Sequence, residues 1–117
     1  MVIPSILDSV KAAIGIEVTT TDFDNALIFF INSVFSTLNQ FGVGPTTGYV
    51  IDSNTNEWVD FLGDRIDLEF VKTYVFLKTK LIFDPPTNSF LVDAITKQIS
   101  ELEFRMSVQV LPTPATP

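Results

Sequence analysis

Cysteine and histidine are both absent from these 117 residues. Without cysteine the chain has no disulfides, no thiolate nucleophile and no cysteine-type zinc site. Without histidine it lacks the commonest general base and the commonest transition-metal ligand. Charge is scarce as well: 18% of residues are charged, against about 25% in an ordinary globular domain. Bases are the scarcer sign, 7 against 14 acids, for a net charge of −7. A basic footprint for nucleic acid and a polybasic membrane patch are therefore both missing. The longest apolar run, Ala26 to Ile31, is too short to span a bilayer. Met1 to Ser5 has no basic region leading into an apolar run and is not expected to be a signal peptide.

Apolar residues make up 46% of the chain, enough for one compact domain. Their spacing predicts a mostly α fold: a small antiparallel bundle of about four helices, with a long connection between the second and third and an extended C-terminal tail. Ser5-Ile6-Leu7-Asp8 is a capping box opening a first helix that stops at Gly15. A second helix is expected from Asp22 to Phe41, capped by Thr21 and Asp24. Its core stripe is Phe23, Leu27, Phe30, Ile31, Val34, Leu38 and Phe41. Gly42, Gly44, Pro45 and Gly48 punctuate the connection, which runs to Gly63. Tyr49-Val50-Ile51 suits a short strand, and Glu57 to Leu62 suits either its hairpin partner or one helical turn.

The third helix, Asp67 to Phe83, has a broad apolar face that includes Leu68, Tyr74, Val75, Leu81 and Ile82. Lys78 projects from that face and must snorkel or find an acid. Asp84-Pro85-Pro86 ends it, since neither proline donates to the helical ladder. The fourth helix runs from a cap at Thr87, Asn88 or Ser89 to about Val108, with a stripe of Leu91, Val92, Ile95, Ile99, Leu102 and Met106. Leu111 to Pro117 is proline-rich and semi-extended. The expected division is a helical domain over 1–110 and a tail over 111–117.

Five phenylalanines do not fit a lone domain. Phe29, Phe76, Phe83, Phe90 and Phe104 fall on the polar sides of helices that already have a complete stripe. Either these helices pack on both sides within one bundle, or the rings are contact sites between subunits. Burying one phenylalanine contributes roughly 1.5–3 kcal/mol, so several together would drive assembly. Trp58 is either a core anchor for the connection or an anchor at a subunit contact. Asp60 and Asp64 share a face if that segment is helical, but solvated surface acids do the same. Asp52 to Glu57 lacks the central glycine and the bidentate glutamate of a calcium loop. No phosphate-cradling loop occurs, and no catalytic residue, metal site or cofactor is expected.

The stretch Val71 to Ser89, with its helix–Asp84-Pro85-Pro86–helix element, resembles the small head-to-tail connector proteins of tailed bacteriophages. Ile31 to Pro45, Trp58 to Asp64 and Gln98 to Met106 are similar to the same family. The resemblance implies a non-enzymatic head-completion or adaptor subunit in the virion neck, made in the bacterial cytoplasm. Such subunits form a ring of about twelve copies on the portal protein, closed by a heterologous contact. They extend the DNA channel without sequence-specific binding and offer a platform for a stopper or tail-completion protein. Members are often monomeric until the portal templates them. By this resemblance the portal side holds Met106, Val108, Val110, Leu111, Pro112 and Pro114. The channel or tail side holds Val43, Pro45, Tyr49, Asp52, Asn54 and Asn56. Trp58, Pro85 and Pro86 would be structural. A helical interaction module acting as a regulatory homodimer is the alternative: it needs one self-complementary patch, whereas a ring needs two different ones.

Overall fold

A computed structural model describes residues 4–63, 65 and 69–109. Its helices are α1 (Ile6–Ile14), α2 (Asp24–Gln40), α3 (Trp58–Leu62), α4 (Phe70–Phe83) and α5 (Ser89–Gln109). The mostly α expectation holds. No strand occurs among the described residues, so the hairpin is corrected: Glu57 to Leu62 takes the helical alternative. A single bridge between Ser5 and Glu57 stands in its place. There Ile6 N–H donates to Asn56 O and Trp58 N–H to Pro4 O, tying the start of the chain to the end of the connection.

Local chemistry explains the helix ends. Ser5 Oγ accepts from Asp8 N–H at 3.2 Å, and Gly15 closes α1 at φ 89°, a left-handed angle that glycine adopts without strain. The second helix starts later than expected, at Asp24, with no side-chain cap. Asp24 is taken instead by Lys11, whose Nζ donates to Asp24 Oδ1 at 2.8 Å and to Val18 O at 2.9 Å. Helix α4 begins at Phe70; Asp67 and Leu68 lie outside the described residues.

Helix α4 lies at the centre and packs on α1, α2 and α5. Phe23, just before α2, meets Phe83 at the end of α4 (5.4 Å between rings), so these two helices run antiparallel. Arg105, late in α5, lies 4.4 Å over the Phe70 ring at the start of α4, so that pair is antiparallel too. The core joins Ile6, Leu7 and Val10 to Leu27, Ile31, Val34, Val71, Tyr74, Val75, Ile99, Leu102 and Met106. Nearby aromatic rings partly cover two of the phenylalanines expected on polar faces. Phe76 and Phe83 are half-buried: Phe76 packs edge-on against Trp58, and Phe83 against Phe23 and Phe30. Conversely Phe23, Ile82 and Leu91, expected in the core, are exposed. Lys78 snorkels, its ammonium 5.9 Å over the Tyr74 ring.

Candidate assembly surfaces

The long connection is held by α2 through side chains that reach its backbone. Asn32 makes a paired contact with Ile51: its Nδ2 donates to Ile51 O at 3.0 Å and its Oδ1 accepts from Ile51 N–H at 2.7 Å. One turn pair further on, Asn39 Nδ2 donates to Pro45 O at 3.2 Å. Between these clamps Phe35, Tyr49 and Phe61 stack with centroids 4.5–5.6 Å apart. An open groove of about 360 Å³ remains between α2 and the connection, bordered by Asn32, Ser36, Asn39, Thr47 and Tyr49. Burial pushes the Tyr49 phenol above its usual range; Asn56 opposes that shift, and the Asp60 and Asp52 carboxylates reinforce it.

Of the residues expected on the channel or tail side, Asp52 and Asn54 project into solvent. Pro45, Tyr49 and Asn56 are half-buried, and Asn56 Oδ1 accepts from Asp52 N–H at 3.0 Å. Val43 is a correction: it is buried in the core and presents nothing outward. Trp58 is the local anchor, buried with its Nε1 donating to Ser9 Oγ at 2.8 Å. Pro85 is exposed and Pro86 half-buried at the turn between α4 and α5.

Two apolar surfaces stay uncovered. The first runs across α2 onto the end of α4. Its rings form a chain: Phe29 to Phe30 at 5.8 Å, Phe30 to Phe83 at 6.5 Å, Phe83 to Phe23 at 5.4 Å. Phe29 is 70% exposed, and Ile82 extends the patch. The second is the outer face of α5. Val92, Ile95, Ile99, Leu102 and Met106 form this helix's inward stripe; on the opposite side Phe90 is 83% and Phe104 69% exposed, with Val108 beside them. Helices α2 and α5 flank α4 with little contact between them, so the two surfaces belong to different flanks. Met106, expected on the portal side, is fully buried and cannot touch a partner directly. Val108 is exposed; Val110, Leu111, Pro112 and Pro114 lie outside the described residues.

Among the described residues no group of three or more acids is placed to hold a metal ion, and no helix is long and apolar enough to cross a membrane. A family model described as phage connector protein matches residues 6–112. The chain belongs to that family. No curated protein and no solved structure matches it. For a phage connector protein the role is structural, at the junction of phage head and tail, and the contacts that matter are with other head and tail proteins.

Sequence reasoning missed the Lys11–Asp24 pair and the Asn32 clamp. A signal for the first was present: Lys11 is four residues after Leu7 and three before Ile14, on the apolar face of α1. Asn32 gave no such signal, because one asparagine on a polar face is indistinguishable from its solvated neighbours.

Proposed function

We propose that this connector is the adaptor subunit of a ring seated on the portal, which extends the DNA channel and presents a platform to the stopper or tail. The observation that carries this reading is the pair of uncovered apolar surfaces on different flanks of α4. A closed ring needs two different surfaces per subunit. The Phe23–Phe29 strip on α2 and the Phe90–Phe104 face of α5 meet that requirement, and about twelve copies would close by such a heterologous contact. Phe83 belongs to the first of these surfaces, where it backs Phe23 and Phe30, while Phe76 packs against Trp58 within the subunit. Portal docking falls to Val108 and the segment after it, including Val110, Leu111, Pro112 and Pro114. The net charge of −7 suits a conduit, since a like-charged wall keeps phosphate from sticking. Asp52 and Asn54 then face the channel or the next neck protein.

The test is co-sedimentation with the portal from the same genome, followed by electron microscopy. A ring stacked on the portal is expected. Phe29→Asp should abolish the ring and leave the melting temperature unchanged, whereas deleting residues 111–117 should weaken portal binding alone. Full rings from Phe29→Asp would refute the lateral assignment, and a wild-type chain that ignores the portal would refute the role.

A further inference from the structure

The outer face of α5 carries more than exposed rings. Phe90, Ala94, Lys97, Glu101, Phe104 and Val108 are all exposed. Their spacing is four, three, four, three, four residues, which at 100° per residue keeps them on one narrow stripe. That is the 3.5-residue repeat of a helix–helix seam. It lies opposite the inward stripe and runs about 27 Å along the helix. Lys97 and Glu101, at its middle, form no ion pair with any described residue.

The order of residues identifies the partner. Turned end for end, the stripe matches itself: Phe90 faces Val108, Ala94 faces Phe104, and Lys97 faces Glu101. Each large ring meets a smaller side chain, and each charge meets its opposite. Beside the seam near its midpoint stand Gln98 and Ser100, both uncharged. In parallel register the same stripe would set Lys97 on Lys97 and Glu101 on Glu101.

We infer that two free copies of this chain pair through α5, antiparallel about a two-fold axis near residue 99, sealing Phe90, Phe104 and Val108. The seam is a strip about 27 Å long and one helix wide, well under the roughly 800 Å² per partner of a standard stable interface. The dimer is therefore weak and dissociates on dilution. The pairing stands on α5 alone. Its consequence rests on the neck reading: a paired α5 cannot serve as a ring contact, so the portal must open the dimer as it recruits each subunit.

The chain's lack of cysteine makes the test clean, because any thiol is one that was introduced. In the antiparallel pair Ser100 lies beside the axis and meets its own copy. Asp93, seven residues earlier on the same edge, lies about 20 Å along the axis from its own copy. Ser100→Cys should cross-link with a short bifunctional thiol reagent at least tenfold faster than Asp93→Cys. Sedimentation equilibrium of the wild type up to about 1 mM (a weak-binding range) should show dimer. Lys97→Glu and Glu101→Lys should each weaken it about tenfold, and an equimolar mixture of the two should restore it. Equal cross-linking at the two positions, or a wild type that stays monomeric, overturns the pairing. So does a dimer that appears only after residues 111–117 are deleted. Rings on the portal without a free dimer would sink this inference and spare the neck role. A free dimer with no portal binding would do the reverse.

Discussion

Lys11 is the most deeply buried charge described in this protein, 1% exposed, and its partner Asp24 is 26% exposed. That asymmetry makes the two halves of one ion pair unequal. In Lys11→Met the cavity stays filled by an unbranched apolar chain, and the Asp24 carboxylate turns toward water that it already touches. Two bonds from the ammonium are lost, but the cost of keeping that charge out of water is lost with them, for a net of about 1 kcal/mol. In Asp24→Ala the ammonium stays buried with a single carbonyl acceptor. Removing one partner of a buried pair costs about 3–5 kcal/mol; the partial exposure of Asp24 argues for about 3. For a chain of this size 1 kcal/mol moves the midpoint by about 4 °C. Asp24→Ala should then melt about 12 °C below wild type and Lys11→Met about 4 °C below. Urea titration monitored by Trp58 fluorescence gives the free energies directly, provided the slope is unchanged. A Lys11→Met loss equal to or larger than that of Asp24→Ala would refute the burial argument. It would show that the ammonium finds water once its carboxylate is gone.

Tyr74 ties α4 to α5, donating to Glu103 Oε2 at 2.9 Å. Burial pushes its phenol well above the ordinary range, and Glu103 adds to the shift by its hydrogen bond and its charge. An unfolded tyrosine ionises near pH 10, so the folded state holds this proton longer. The stabilisation is complete below pH 10 and is lost as pH climbs above it; urea midpoints should fall there in the wild type and less steeply in Tyr74→Phe. Gly44 sits at φ 88°, and a Cβ there would come 2.4 Å from Phe61 Cε1; at Gly48, φ 94°, a Cβ would meet nothing within 4 Å. Gly48→Ala thus bears backbone strain alone, about 1 kcal/mol, while Gly44→Ala should cost at least about 1 kcal/mol more. Equal losses in urea would show that Phe61 yields freely. Leu102 and Phe104 are two residues apart on α5: Leu102→Ala should cost about 2–5 kcal/mol. Phe104→Ala should stay within about 0.5 kcal/mol, although phenylalanine is the larger side chain.

Helices were legible where the signal is periodic or sits at a cap. Ser5, Gly15 and Asp84-Pro85-Pro86 mark ends that the structure reproduces, and the α5 stripe from Val92 to Met106 faces the core as its spacing requires. Errors arose where one helix meets several neighbours. Periodicity gives the angle of Phe76 and Phe83 on α4 but not what lies outside it: Trp58 of α3 covers Phe76, and Phe23 and Phe30 cover Phe83. Phe23 failed for the opposite reason: it precedes the first turn of α2, so the helical angle assigned to it never applied. The strand that Tyr49 to Ile51 suits does not form, and the order of the connection comes instead from Asn32 and Asn39 gripping backbone atoms. A side chain-to-backbone bond of that kind leaves no pattern in sequence. The candidate surfaces were half visible: Phe29, Phe90 and Phe104 stand exposed, while the Ala94–Lys97–Glu101 centre of the α5 stripe escaped notice because it is not apolar.

A chain with this charge cannot assemble on opposite charge alone. From Ala12 to Asp64 there is no base at all, and that block contains Glu17, Asp22, Asp24, Asp52, Glu57, Asp60 and Asp64. Copies therefore repel one another, but at physiological salt that repulsion is screened beyond about 8 Å. Apolar contact strengthens with area and is indifferent to sign. In the proposed assembly the uncovered surfaces set whether copies meet, and the residual repulsion sets how weakly they would do so without help. Such a balance leaves the free subunit near its association threshold, where a template that aligns many copies raises their effective concentration enough to tip it. Because one stripe of α5 faces the core and the opposite one is exposed, the proposed pairing predicts that the threshold shifts with substitutions at Phe90, Lys97, Glu101 or Phe104 without touching Ile99, Leu102 or Met106. On that proposal, folding and assembly are separate quantities carried by two faces of one helix.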